Sequence, residues 1–295
     1  MDFYRNWFLA SRPWSFSMTT ISVSVGGALA AIDGNFSWGL YMLTLISGIF
    51  LHAATNLIND YFDVKSGVDT REVSTAQYRP HPLLEGKLAP KSVLRTAYLL
   101  YGAATVIGLW LCATRGWSLL WIGLIGTFAS LTYTGPPLKY KYSALGEISV
   151  FLMWGPLMVI GSYFVQRQVF STSAFWISLP FGVLVALVLL ANNIRDAAHD
   201  QRKGILTLPI AIGQRNGLRL YIALVVLAYL DTIGMSIVGP LPLCSLIVLL
   251  SLPLALRLLR QMMRRVPIDA DAQTAQLDTV FGILLVVSLV LEGLF

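Results

Sequence analysis

The segment TNLINDYFDVKSGVD, Thr55 to Asp69, is polar and acidic, yet it begins inside an apolar run that starts near Leu40. Asn56 and Asp60 therefore fall toward the end of a helix that spans a membrane. On a helix Asn56, Asp60 and Asp63 stand at i, i+4 and i+7, which is one face. Gly67 then breaks the helix and lets Asp69 fold back toward that face. An ionisable residue at the bilayer centre costs about 2.5–3.5 kcal/mol on insertion scales, less near the interface, and marks a functional site by default. Several carboxylates in one cluster also repel one another, so the cluster calls for a cation.

The pattern returns 136 positions later in LANNIRDAAHD, Leu190 to Asp200, where Asn192, Ile194 and Asp196 match Asn56, Ile58 and Asp60. Asn192, Asp196 and Asp200 stand at i, i+4 and i+8, with Asn193 near the same face. Both acidic helix ends follow long apolar runs and can face each other across a cavity.

Of the 295 residues, 56% are hydrophobic and 12% charged, and the mean hydropathy is +0.69. This is the composition of an all-α polytopic membrane protein rather than a soluble domain. One transmembrane domain over residues 1–295 accounts for it. The N-terminal MDFYRNWFLASRPW lacks a small-residue cleavage pattern and reads as an interfacial lead-in to the first span. Cys112 and Cys244 are isolated in apolar runs, so neither a disulfide nor a zinc site is expected. Runs of roughly 20 residues, enough to cross a bilayer, fall near 14–32, 37–60, 92–114, 117–135, 145–166, 172–194, 216–238, 241–260 and 276–295, nine in all. The net charge of +6 does not indicate nucleic acid, because 19 of the 21 basic residues lie on alternate connections and only Arg115 and Arg167 on the others. The positive-inside rule then puts the N-terminus and both acidic clusters on the cytoplasmic side and the C-terminus outside. Residues 61–91 and 195–215 form cytoplasmic caps. The first, with Arg71, Arg79, His81, Glu85 and Lys87, is long enough to be a functional lid.

Acidic clusters flanked by Lys65, Arg79, Lys139, Arg195 and Lys203 describe a site for a polyanion bridged by metal. Mg2+ takes one or two carboxylates plus phosphate oxygens and keeps its waters, with Mn2+ as a possible substitute. The candidate metal ligands are Asn56, Asp60, Asp63, Asp69, Asn192, Asp196 and Asp200. Asn56, Arg79, Asn192, Asn193 and Lys203 are candidate diphosphate contacts, arginine by bidentate bonds. A diphosphate brought to a cavity in the lipid bilayer implies that its other end is a lipid. With an allylic lipid, loss of the diphosphate leaves a carbocation that survives only in a dry pocket, where aromatic faces stabilise it. Trp110, Tyr133, Phe151, Trp154, Tyr163 and Phe164 are candidate lining residues. A third polar island, YTGPPLKYKYSALGE from Tyr133 to Glu147, can turn Tyr133 and Lys139 toward the site. Asp60, Asp63, Asp196, Asp200, Tyr133 and Lys139 make up the candidate catalytic set. Lys139 and Lys141 also serve as plain markers of topology.

At these residues the chain resembles the UbiA superfamily of intramembrane prenyltransferases. NDYFDVKSGVD is similar to that family's first Asp-rich motif, NNIRDAAHD to its second, and RPHPLLEGKL to the basic loop between them. The resemblance implies nine helices around a central cavity and Mg2+-dependent transfer of a polyprenyl group from a polyprenyl diphosphate held between the two motifs. YTGPP, LGE ending at Glu147, and GSYFVQ from Gly161 to Gln166 are similar to the branch whose aromatic acceptor is 1,4-dihydroxy-2-naphthoate, on the way to menaquinone. After the second motif this chain has Gly204, Ile205, Leu206, Thr207 and Leu208 where that branch carries two cations, and LKYK at Leu138 to Lys141 is more like other branches. Transfer to 4-hydroxybenzoate and acceptor-free terpene cyclisation are the enzymatic alternatives. A transporter is the third, although its ion sites sit at broken helices in mid-span rather than at helix ends. His52, His81 and His199 are the groups suited to titrate near neutral pH.

Overall fold

The computed structural model describes residues 2–71 and 74–294. An interfacial helix α1 (Asp2–Ala10) leads through a turn at Pro13–Ser15 into α2 (Phe16–Ile32), followed by α3 (Trp38–Lys65), a short α4 (Ser74–Tyr78), α5 (Pro90–Arg115) and α6 (Ser118–Thr134). Helix α7 (Gly146–Leu152) runs through a π turn at Met153–Leu157 into α8 (Met158–Arg167). Then come α9 (Thr172–Arg202), α10 (Leu208–Ile212), α11 (Gln214–Val238), α12 (Leu252–Arg264, entered by a 3-10 segment from Leu243) and α13 (Ala270–Glu292). Among the described residues eight helices are long and apolar enough to cross a membrane, and Ser118–Thr134 is a shorter apolar helix between two of them. The apolar runs thus all become helices, while full spanning length is met by eight.

The helices begin and end where the chemistry directs. Ser37 and Ser171 cap α3 and α9, each hydroxyl accepting from the backbone three residues on. Pro90 opens α5, where its missing N–H costs nothing. Gly155, in the π turn, meets Gly182 of α9 so closely that a Cβ on Gly182 would lie 2.7 Å from the Gly155 Cα, and this pair sets the α7–α9 crossing.

The largest core joins α2, α9, α11 and α13 through Phe181, Leu184, Leu187, Tyr221, Phe281 and Leu285. A second joins α3 and α5 through Leu57, Ile58, Val93 and Tyr101, and Leu83 and Leu88 of the loop before α5 drop into it. Leu99, Val106, Trp121 and Val238 point outward, the arrangement of a bundle solvated by lipid.

Three boundaries differ from the sequence expectation. Helix α3 continues through Lys65 and α9 through Arg202, past the expected ends at 60 and 194, so Asn56 to Asp63 and Asn192 to Asp200 occupy the last turns of long helices, as read from the sequence, while Asp69 lies in the loop beyond. The caps proper are residues 66–89 and 203–213, each carrying one short helix. The polar stretch DADAQTAQLD is helical from Ala270, which buries Asp271 and Asp278 inside the bundle.

Candidate functional site

At the end of α3 the left-handed Gly67 (φ 72°) reverses the chain, and the amides of Val68 and Asp69 both donate to the Asp63 carbonyl, at 2.9 and 3.1 Å. Asp69 is thereby folded back beside the helix face that carries Asp60. His81 arrives from the lid loop with Nε2 at 3.4 Å from Asp69 and 3.9 Å from Asp60, and this nitrogen makes no hydrogen bond among the described residues. One ligand atom each from Asp60, Asp69 and His81 lies within 4.8 Å of the others. Arg12, from the turn before α2, donates to Asp60.

Asp63 faces another partner. Its Oδ2 accepts from Lys141 Nζ at 2.7 Å and its Oδ1 from the Tyr142 hydroxyl. The segment that presents this pair is held by a two-bond bridge to the loop after α9: the Ala144 amide donates to the Leu206 carbonyl at 2.8 Å, and the Leu206 amide to Tyr142 at 3.3 Å. The third polar island is thereby clamped between the two motifs, and Leu206 works through its backbone.

The outlying charges are strongly tuned. Burial opposes ionisation of Asp69, but His81, Lys141 and Arg12 beside it outweigh burial and bring its pKa down to about 2. Burial also opposes the Lys141 ammonium, and Asp63, Tyr142 and Asp69 overcome it, so Lys141 titrates above the ordinary lysine range. Arg12 is raised in the same way by Asp60, Asp69 and Asp63.

On α9, Arg195 is the hub. It donates to both Asp196 oxygens, at 3.0 and 2.7 Å, to Asn192 at 2.6 Å, to the Ile268 carbonyl at 2.8 Å and to Asp271 at 2.5 Å. Asp196 also accepts from Ser74 of α4 at 2.7 Å, and Asp271 from Tyr78 at 2.5 Å, so the lid helix is tied to the second motif and to α13. Asn193 turns the other way and donates to the buried Glu147 at 2.9 Å. Asp200 has no ion pair among the described residues and lies in the field of Asp196, Lys141, His199 and Asp69.

The remaining expected residues divide. Asn56 donates to the Ser11 carbonyl and to Ser15, at 3.0 and 3.2 Å. Arg79 lies over the rings of Trp14 and Tyr78 and 3.8 Å from Asp271. Lys139 and Lys203 are exposed and carry no ion pair among the described residues, because left-handed Lys139 (φ 48°) turns outward and leaves Lys141 to reach the acids. Arg12, Lys141, Tyr142, His81 and Asp271 are in the constellation although sequence reasoning did not place them there. Their charged or aromatic type was the only signal, apart from the placing of His81 in the lid loop.

Below the first motif opens a mainly apolar cavity of about 430 Å3 between α3, α5, α6 and α7–α8. Asn56, Asn59, Tyr133 and Tyr140 line its polar end, and Leu111, Cys112 and Val165 lie deeper. Of the expected aromatics, Tyr133 and Trp154 line it. Trp110 is half exposed, Tyr163 is bonded to Asp33 and Phe164 packs on Phe170, so these three do other work. His52 belongs to the wall: Thr19 is 2.8 Å from its Nδ1, Ser15 is 3.1 Å from its Nε2, and Trp154 packs edge-on against it. Ser15 donates its own proton to the Arg12 carbonyl, which leaves Nε2–H of His52 as the donor to Ser15.

The sequence profile of the UbiA prenyltransferase family matches residues 19–284. The 1,4-dihydroxy-2-naphthoate octaprenyltransferase of Bacillus subtilis (strain 168) is 31% identical over 96% of this chain and 91% of its own length. UbiA prenyltransferase domain-containing protein 1 of Homo sapiens is 31% identical over 97% of this chain and 83% of its own. The solved structure of a UbiA homolog from Archaeoglobus fulgidus bound to GPP and Mg2+ superposes with a TM-score of 0.62 over 96% of this chain and 99% of that one, at 14% identity, a likeness of fold.

Proposed function

The chain belongs to the UbiA prenyltransferase family, and from that premise we propose that it transfers a polyprenyl group from its diphosphate to 1,4-dihydroxy-2-naphthoate, using Mg2+. One observation carries the reading: Asn56 belongs both to the acidic motif and to the wall of the apolar cavity, so a charged headgroup and a lipid tail fit one continuous site. The name of the Bacillus subtilis relative supports the acceptor, as do the YTGPP and GSYFVQ segments.

The donor set fits the ion. Asp60 and Asp69 bring hard carboxylate oxygens within a few ångströms of each other, with the partnerless His81 Nε2 beside them, and Asp196 and Asp200 supply oxygens from the opposite motif. A bound Mg2+ would neutralise charge on the diphosphate oxygens. The chain's own groups do the rest. Lys141 and Arg12, held charged beside the acids, offset the negative charge that grows as the bond to the allylic carbon breaks. The lid helix, through Ser74 and Tyr78, covers the site and excludes water. Tyr133, Tyr140 and Trp154 offer ring faces to the allylic cation until the electron-rich acceptor captures it, the new carbon–carbon bond forming at the carboxyl-bearing ring carbon and the carboxylate leaving as CO2 with the bonding pair restoring the aromatic ring. The acceptor is selected by that wall rather than by the metal site. The distribution of 19 of 21 basic residues supports a cytoplasmic position for both motifs.

The test is mass spectrometry after incubating purified protein with Mg2+, a set of prenyl diphosphates and each acceptor separately. A prenylated naphthoquinol is expected, and chelation by EDTA abolishes it. Prenylated 4-hydroxybenzoate alone, or a cyclic hydrocarbon formed without acceptor, overturns the choice of acceptor; turnover in EDTA overturns the metal.

A further inference from the structure

At the acidic site Arg12 holds Asp60, Lys141 holds Asp63, and Arg195 holds Asp196 and Asp271. Helix α12 and its C-cap gather four arginines on one short segment. Arg257, Arg260, Arg264 and Arg265 are exposed, and none is in an ion pair among the described residues. The nearest acid in sequence, Asp269, accepts instead from Gln273 at 2.9 Å. At 3.6 residues per turn, Arg257, Arg260 and Arg264 fall within about 60° of the helix circumference. Ala255, Leu258, Leu259 and Met262 occupy the opposite, buried face, and exposed Leu252, Leu256 and Met263 form an apolar strip directly beside the arginines. Where α12 ends, a pocket of about 580 Å3 opens between Arg264, Arg265, Gln261 and the Val266–Ile268 turn, with the fully engaged Arg195 at its back.

We propose that this pocket and arginine face bind the headgroup of an anionic phospholipid. Guanidinium forks match phosphate oxygens bidentately. Arg257 and Arg264 are separated by about 10 Å along the axis, at 1.5 Å per residue, so the face reaches from the end of the span down to headgroup depth. The apolar strip beside it gives the acyl chains a surface, which a water-soluble diphosphate would not use. The Arg195 contact to Ile268 puts the pocket at the end of the bundle that carries the second motif, yet no acid among the described residues lines the pocket, and the proposal does not rest on the reaction proposed above.

The full chain is placed in nanodiscs of phosphatidylcholine, alone or in an equal mixture with phosphatidylglycerol, and retained lipid is counted by native mass spectrometry alongside thermal unfolding. Wild type is expected to retain phosphatidylglycerol selectively and to melt higher in the mixture. Arg264→Gln with Arg265→Gln weakens that retention roughly fivefold per arginine, the scale of one surface cation on an anionic membrane. Arg264→Lys with Arg265→Lys keeps the charge that guides insertion and loses only the bidentate bonds, so an intermediate retention is expected. Equal retention of the two lipids by wild type, or full retention by the glutamine pair, overturns the proposal. Inorganic diphosphate in detergent provides the other arm: raised melting that the glutamine substitutions abolish would make this a free-anion site and overturn the lipid assignment.

Discussion

Asp63 shows what sequence spacing leaves undetermined at a single residue. Its position on the face of Asn56 and Asp60 follows from helical periodicity, but both its oxygens are taken by Lys141 and Tyr142, which are 78 and 79 residues away. Choosing between Lys139 and Lys141 required the left-handed turn at Lys139, and no local pattern in LKYK specifies that turn. Arg12 was similarly legible only as a topology marker. Lys141→Met is therefore expected to lower kcat/KM for prenyl transfer by roughly 10^2-fold or more, the scale of one lost charge-stabilising donor. Lys139→Met should stay close to wild type; equal losses in the two variants, measured by initial rates in detergent, would remove Lys141 from the site. Asp69 allows a pH test. Its folded pKa of about 2 lies below the ordinary carboxylate value, so ionisation favours the folded state; that contribution is complete above about pH 4 and is lost as pH falls toward 2. The melting difference between wild type and Asp69→Asn should accordingly be large at neutral pH and shrink across that window, and a difference independent of pH would contradict the assignment.

At the scale of elements, the long helices were legible because apolar runs of spanning length have few other structures available in lipid. The start of α13 was not. The apolar run begins only near residue 276, because the three acids of DADAQTAQLD interrupt it, but the helix itself starts at Ala270: Asp271 sits in the first turn, where the helix dipole favours an anion, and its charge is answered by Arg195 from α9. That pairing also fixes the lid, since Tyr78 of α4 shares Asp271 and Ser74 shares Asp196. Asp271→Asn removes one side of a buried pair, which costs about 3 kcal/mol. The expected signature is a lower melting temperature together with faster hydrogen exchange in residues 74–79. Unchanged exchange there would show that the lid is held by other contacts.

The whole molecule has two ends of different character, and the internal repeat places both motifs at one of them. Ser74 bonded to Asp196 puts the lid and the end of α9 on the same side, while Phe170 lies in the turn between α8 and α9, at the far end of a 31-residue helix. That relation is fixed by the fold; which side faces the cytoplasm rests on the basic residues, of which only Arg115 and Arg167 lie at the far end. Both of those are already occupied there, Arg115 donating to the carbonyls of Val165 and Gln166 and Arg167 to that of Asp33, so they pin turns rather than compete for the anionic cytoplasmic surface. With Cys112 and the exposed Cys244 replaced by serine, single cysteines at Thr75 and Arg202 should react with an impermeant maleimide only from the cytoplasmic side, and one at Phe170 only from outside. Thr75 and Arg202 labelled from opposite sides would contradict the fold itself. All three labelled with inverted sidedness would leave the fold intact and overturn the reading of the basic residues, sending both substrates to the opposite face of the membrane.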